Sequence, residues 1–371
     1  MSHCSDRAHV PSPLPTKAWG EGTRKPPMNT RQLSTLIRTL VLSMIFGLPM
    51  SVHAVEDQAV DDAVVNALRY LAQQQNPDGS WNVDITGEST AATSLAVMAF
   101  LAAGHVPGEG PYGLAIDRGV NYVIDHQEAN GMIVDRRGHG PMYDHGISTL
   151  MLSEVAGMTD KDNAARARKV LEKAVRIILL AQKVRKVRRE SGGWRYQHNS
   201  EDSDLSVTGW QLLALRAAKD IGCDVPVENI DQAVGYVKKC SSGRGFGYQP
   251  GSGPTSTLTA AGILALQVCD HHEDNEVHGG IQFLQRQPLR FDEGWFFYGA
   301  YYHAISAYKY GGADWERTKS LLFHELLSNQ QPIGSWQAKN GNERGQGQVY
   351  ATSLGVLALT VEYGYLPIYQ R

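Results

Sequence analysis

Two kinds of apolar segment alternate along this chain. Residues 64–75 (VVNALRYLAQQQ) and 228–240 (ENIDQAVGYVKKC) place apolar positions three and four apart with polar ones between. That period predicts helices with one buried face and one wet face. Residues 92–104 (ATSLAVMAFLAAG), 146–157 (GISTLMLSEVAG), 209–218 (GWQLLALRAA), 256–268 (STLTAAGILALQV) and 352–364 (TSLGVLALTVEYG) read differently. They are apolar nearly all round and rich in Ala, Gly, Ser and Thr, which predicts helices buried on most faces and packed closely on their neighbours. Residues 295–308 (WFFYGAYYHAISAY) make a further segment of this second kind, crowded with aromatics. Ser or Thr near most starts, and Gly near several ends, supply the expected caps.

Short turns join the two kinds, each with an aromatic or apolar residue close behind glycine. They are NPDGSW ending at Trp81, EANGMI at Ile133, ESGGWRY around Trp194, GRGFGY around Phe246, DEGWFF around Trp295 and PIGSW ending at Trp336. Successive turns lie 41–61 residues apart, as when one supersecondary unit is repeated. Six amphipathic helices, each followed by a buried one, predict an all-α fold of two concentric helix rings, an (α/α)6 toroid of six helix-pair repeats. An open solenoid would need polar capping units at its ends, and here the first and last units resemble the middle ones. Closure points all the buried helices the same way. Their N-termini, with orphan N–H groups and partial positive charge, then ring one mouth of the barrel. A ligand site is expected there.

The N-terminal part breaks the pattern. Residues 1–27 are rich in Pro, Ser and charge, with nothing periodic to bury. From Met28 the chain carries Arg31 and Arg38, an apolar run over residues 40–50, and Val52-His53-Ala54. This order of charged region, short apolar region and small residues is that of a secretory signal peptide. The apolar run is too short to span a membrane. Translation is therefore expected to start at Met28, with cleavage after Ala54, export, and a single toroid over residues 55–371 without a transmembrane segment. That mature chain has 29 Lys+Arg against 36 Asp+Glu, a net charge of −7. An acidic domain argues against nucleic acid as a partner. The one basic run, residues 183–189, reads as a solvated helix end. Cys223, Cys240 and Cys269 remain in the mature chain. An odd count without CxxC spacing gives no zinc pattern and at most one bridge.

With these turns between paired helices, the chain resembles the squalene cyclase and prenyltransferase repeat superfamily. QQQNPDGSW (residues 73–81) is similar to its QW motif, and LSNQQPIGSW (residues 327–336) is a second match. The resemblance covers residue 60 to the C-terminus and implies the toroid fold. Squalene-hopene-type cyclases carry Asp-x-Asp-Asp at an inner-helix start, and Asp202-Ser203-Asp204-Leu205 is similar. The resemblance makes Asp204 the acid that protonates an isoprenoid, but Leu205 stands where the last Asp belongs. Tyr301-Tyr302-His303 resembles the histidine element of zinc prenyltransferases, yet no Asp-x-Cys pair precedes it. The chain is most similar to single-toroid bacterial repeat proteins of this superfamily. No cofactor or metal is implied.

The residues themselves bring further candidates. Asp204, with Asp202 beside it, is placed either to cap a buried helix or to act as an acid whose pKa burial raises. Tyr143-Asp144-His145 precedes the second buried helix, and His145 could pair with a carboxylate there as an acid–base couple. Tyr298, Tyr301, Tyr302 and His303 fall within a turn and a half, so some face the barrel interior; with Trp194, Trp210, Tyr143 and Asp144 they form the expected ligand surface. The leading expectation is an exported toroid that binds an apolar isoprenoid or lipid in a central cavity and acts as a cyclase or isomerase through Asp204. Two other readings stand beside it. One is a non-catalytic scaffold that binds a protein partner, its barrel filled by its own side chains. The other is a carbohydrate-active (α/α)6 enzyme, which requires carboxylates such as Glu88, Asp144 and Asp204 to converge.

Overall fold

The computed structural model describes residues 52–135, 140–159 and 161–370. The expected leader lies outside the described residues except for positions 52–54.

Six outer helices alternate with six inner ones. The outer helices are α1 (Val52–Gln73), α3 (Gly113–Asp125), α5 (Lys161–Gln182), α7 (Val227–Lys239), α9 (Asn275–Arg286) and α11 (Gly312–Ser328). The inner helices are α2 (Thr90–Ala102), α4 (Pro141–Ala156), α6 (Leu205–Asp220), α8 (Ser256–Gln267), α10 (Phe296–Tyr310) and α13 (Gly347–Leu359). A single turn, α12 (Gly341–Arg344), precedes the last of these, and a two-stranded hairpin, β1 (Trp81–Val83) with β2 (Gly87–Ser89), precedes the first. Each inner helix packs on the next, and α13 returns to pack on α2. The ring is closed, and the fold is an (α/α)6 toroid.

The turns show why closure is specified locally. At Gly79, Gly131, Gly192 and Gly334 the backbone is left-handed, with φ between +90° and +103°. A Cβ at any of these positions would stand 2.2–2.8 Å from a carbonyl oxygen of the next outer helix, so only glycine fits. A glutamine at the end of the outer helix ties the two together in these four units. Gln75 Nε2 donates to Gly79 O and to Ala115 O of α3, and Gln127 and Gln182 repeat this pairing one and two units on. Gln330 donates to Gly334 O and to Ala63 O of α1, which sews the last unit to the first.

The aromatic behind the glycine is a core peg. Trp81, Ile133, Trp194, Phe246 and Trp336 are all 0–1% exposed. The indoles of Trp81, Trp194 and Trp336 donate to Leu71 O, Ile178 O and Leu326 O of their own outer helices. Their backbone N–H groups, and that of Phe246, donate to a threonine in the following inner helix: Thr93, Thr208, Thr259 and Thr352.

The fifth unit departs from the expected pattern. Trp295 is 40% exposed and stands in a left-handed backbone (φ +62°), and Leu289 fills the core position against Gly299. Leucine there needs no hydrogen bond for a ring nitrogen, so the peg works without an aromatic and the tryptophan is left outside.

Candidate active site

All six inner helices begin at the same end of the barrel, where capping side chains and turn residues meet. Ser89 and Thr255 cap α2 and α8, accepting from Ala92 N and Leu258 N. Asp204 caps α6, with one carboxylate oxygen accepting from Val207 N at 2.8 Å. Helix α10 has no side-chain cap of its own. Glu343, from the following unit, accepts from Phe297 N and Tyr298 N at 3.2 and 2.9 Å and performs that role. Burial pushes Glu343 up to about 7, and those donors pull it back.

Asp204 is fully buried. Burial pushes its carboxyl up to about 7; the Val207 N–H, the Arg195 guanidinium and the Tyr248 hydroxyl lower it. Its second oxygen lies 3.7 Å from Arg195 Nη1, and Asp202, half exposed, lies 3.4 Å from Arg195 Nε. The guanidinium also covers the rings of Tyr196 and Tyr248 at 4.7 and 5.3 Å, and those two hydroxyls bond to each other. Asp204 is thus a cap locked under an Arg–Tyr lid.

Asp144, in the first turn of α4, is largely enclosed by protein but keeps intermediate exposure. Burial pushes its carboxyl up to about 8, the charge of Asp135 adds to the rise, and the Ala91 N–H opposes it. Asp135 accepts from Thr90 N at 2.7 Å. The two carboxyls therefore lie near one another at the starts of α2 and α4, bonded to the neighbouring Thr90 and Ala91 N–H groups. Tyr143 and Tyr350, also enclosed yet partly accessible, share this mouth, as do Thr257 and Leu258. Tyr143 donates to Ser206 Oγ at 2.8 Å, and Ser206 bonds to the Tyr298 hydroxyl at 2.8 Å. This hydroxyl chain forms the floor.

Below the floor the barrel is filled. Trp210 stacks on Tyr301 with ring centroids 5.3 Å apart, and Tyr302 packs edge-on to both. All three are at most 2% exposed, so they plug the interior where an apolar cavity was expected. The far end is sealed by the short helix Pro367–Tyr369, which packs on α6 with Tyr369 1% exposed. Inside that seal Glu154 is 2% exposed and is pushed up to about 8 by burial, although it accepts from the Ile368 N–H.

Three other expected residues take different places. His145 is the peg partner of the second unit: its Nδ1 accepts from Ile133 N at 3.0 Å, where other units use threonine, and its Nε2 faces Ala174 O at 3.0 Å. Burial holds it neutral, down to about 4, and both nitrogens are committed to backbone. Trp194 is likewise a core peg. His303 does not face the barrel axis. It borders a crevice between α9, α10 and α11 with Ile281, Leu284, Leu289 and Leu322. Glu88 stays exposed on the hairpin. On the surface, Asp274 Oδ2 lies 2.8 Å from Lys238 Nζ and 2.9 Å from His271 Nδ1. Cys223, Cys240 and Cys269 are free thiols.

Asp135 was not among the sequence candidates. It lies two residues beyond the buried Ile133, and the same offset beyond Trp194 and Phe246 gives Tyr196 and Tyr248. In these three units the offset marks mouth residues, whereas after Trp81 and Trp336 it gives the buried Val83 and Ala338.

No protein-family model matches the chain, and a search of curated proteins finds no match. Among solved structures, the α-1,6-mannanase of Salegentibacter sp. HEL1_6 is similar in fold: TM-score 0.62, 10% identity, 82% of this chain and 99% of that one. A glycosidase variant gives TM-score 0.59 and 11% identity over 86% of this chain and 100% of that one. A variant of the type II terpene cyclase MstE from Scytonema, in complex with geranylgeranyl dihydroxybenzoate, gives TM-score 0.56 and 14% identity over 84% of this chain and 99% of that one. These likenesses show the toroid fold.

Proposed function

We propose that the chain is an acid–base enzyme whose site is the barrel mouth, with Asp144 as proton donor and Asp135 as its charged partner. One observation carries this reading: two neighbouring, partly accessible carboxyls at the mouth, one of them pushed up to about 8. Paired carboxyls with separated protonation states are the means by which one site supplies both an acid and a base. The fitting substrate is a polyhydroxylated one, a glycosidic bond cleaved with general acid help. Tyrosine hydroxyls, Ser206 and the carboxyls give the mouth donors and acceptors for hydroxyl groups, and the filled barrel beneath leaves no room for a long apolar chain. The test is turnover of a panel of oligosaccharides and aryl glycosides by the purified protein and by Asp144→Asn. Absence of turnover across the panel, or an unimpaired Asp144→Asn enzyme, overturns it.

A second reading keeps the isoprenoid ligand and cyclase chemistry. It is favoured by the aromatic side chains of the mouth and by Leu258, and by the fold shared with a terpene cyclase. The alkene would then take its proton from Asp144 or Asp204, and native mass spectrometry after lipid extraction separates this reading from the first. A scaffold binding a protein partner accounts for the filled barrel but gives no use for the accessible carboxyl pair. We further propose export with cleavage after Ala54; a mature N-terminus other than Val55 would overturn that.

A further inference from the structure

Trp295 is the one exposed tryptophan among the described residues. Trp81, Trp194, Trp210, Trp315 and Trp336 are all at most 3% exposed, against 40% for Trp295. It also has φ +62° and ψ 38°, a left-handed conformation that is strained for a bulky side chain. The fold gains nothing visible from either. Leu289 fills the core position in its unit, and Glu343 supplies the helix cap that Trp295 cannot. An exposed indole held in a strained backbone, at the N-terminal end of an inner helix, stands on the rim of the mouth. Its chain neighbours are Asp292 and Glu293, both exposed, with Asp292 3.4 Å from Arg290 Nε.

The ring order adds a distance. Asp144 is on the second inner helix and Trp295 immediately precedes the fifth, so they stand on opposite sides of a closed six-membered ring. Packed helix axes lie about 8–10 Å apart, which puts opposite members of such a ring about 16–20 Å apart. One sugar unit cannot touch both sides.

We propose that Trp295 is a stacking platform for a distal sugar ring, so that the mouth binds oligosaccharides lengthwise from Asp144 to the α10 rim. The flat apolar face of a pyranose suits an indole, and the flanking carboxylates accept hydroxyl donors while repelling anionic groups. This rests on the carbohydrate reading of the mouth.

The experiment is isothermal titration calorimetry of the full chain with unbranched gluco- and manno-oligosaccharides of one to six units, with iodide quenching of tryptophan fluorescence followed in the wild type alone. Trp295→Phe, Trp295→Gly and the exposed-surface control Leu114→Ala accompany the wild type. Expected is protection from quenching that strengthens with ligand length, with affinity for the longest chains about tenfold weaker in Trp295→Gly and largely retained in Trp295→Phe. Glycine also relieves the left-handed strain, so the melting temperature of Trp295→Gly holds or rises; a merely structural tryptophan would give a fall. Length-independent binding, unchanged in Trp295→Gly, overturns the platform and leaves the carbohydrate reading standing. Wild type that binds no sugar of any length overturns both.

Discussion

One helix carries the same acid twice. Asp144 opens α4 and Glu154 nearly closes it, and burial pushes each up to about 8. They differ in access. Asp144 keeps intermediate exposure near Asp135, whereas Glu154 is 2% exposed beneath the C-terminal helix and accepts from the Ile368 N–H. Desolvation makes both acids hold their protons; only the one that water can reach can hand its proton to a substrate. A perturbed carboxyl alone therefore does not identify a site.

The largest effect that would test this contrast is at Asp144. Replacing it with Asn keeps shape and neutrality, so the protein should fold as before while turnover drops about 10²–10⁴-fold. Glu154→Gln should leave turnover intact. If the two variants lose activity alike, the contrast between the ends fails.

At the sealed end, Tyr369→Ala removes a fully buried ring and should cost about 3–5 kcal/mol in chemical denaturation. Turnover at the mouth should persist under conditions where the variant stays folded.

The pH dependence separates the ends further. Both acids are raised on folding, so the folded chain binds protons more tightly than the unfolded one. Their contribution to stability is then complete below about pH 4 and is lost as pH rises through about 8. Melting temperature should fall over that range, and Glu154→Gln should flatten only the sealed end's share. Turnover should fall above about pH 8 as Asp144 loses its proton, in wild type and Glu154→Gln alike.

The smallest expected effect concerns His145. His145→Thr puts in the residue that the equivalent position carries in four other units, so its cost should stay below about 1.5 kcal/mol with activity retained. A loss of turnover with an unchanged fold would return His145 to the chemistry.

Much of the architecture was legible in the chain. The glycine-peg turns repeat as strings because each needs a particular residue at a particular place: glycine where a Cβ would strike the next outer helix, glutamine where two carbonyls must be bridged. Trp295 misled because it has the same string without the same burial. Nothing within DEGWFF shows that Leu289, six residues earlier, already occupies the core.

The site was far less legible. Asp202 and Asp204 stood out as a motif, yet Asp204 folds into a cap, because an aspartate at a helix start satisfies orphan N–H groups whether or not it has chemistry to perform. Asp135 and Asp144, nine residues apart, read as unrelated loop positions. Helix periodicity and turn chemistry are local, so the sequence alone determined six helix pairs, their order and the end at which the inner helices begin. Which carboxyl stays wet, which is sealed, and whether the barrel is hollow depend on side chains from helices far apart in the chain packing against one another. Those outcomes were decided only when the ring closed.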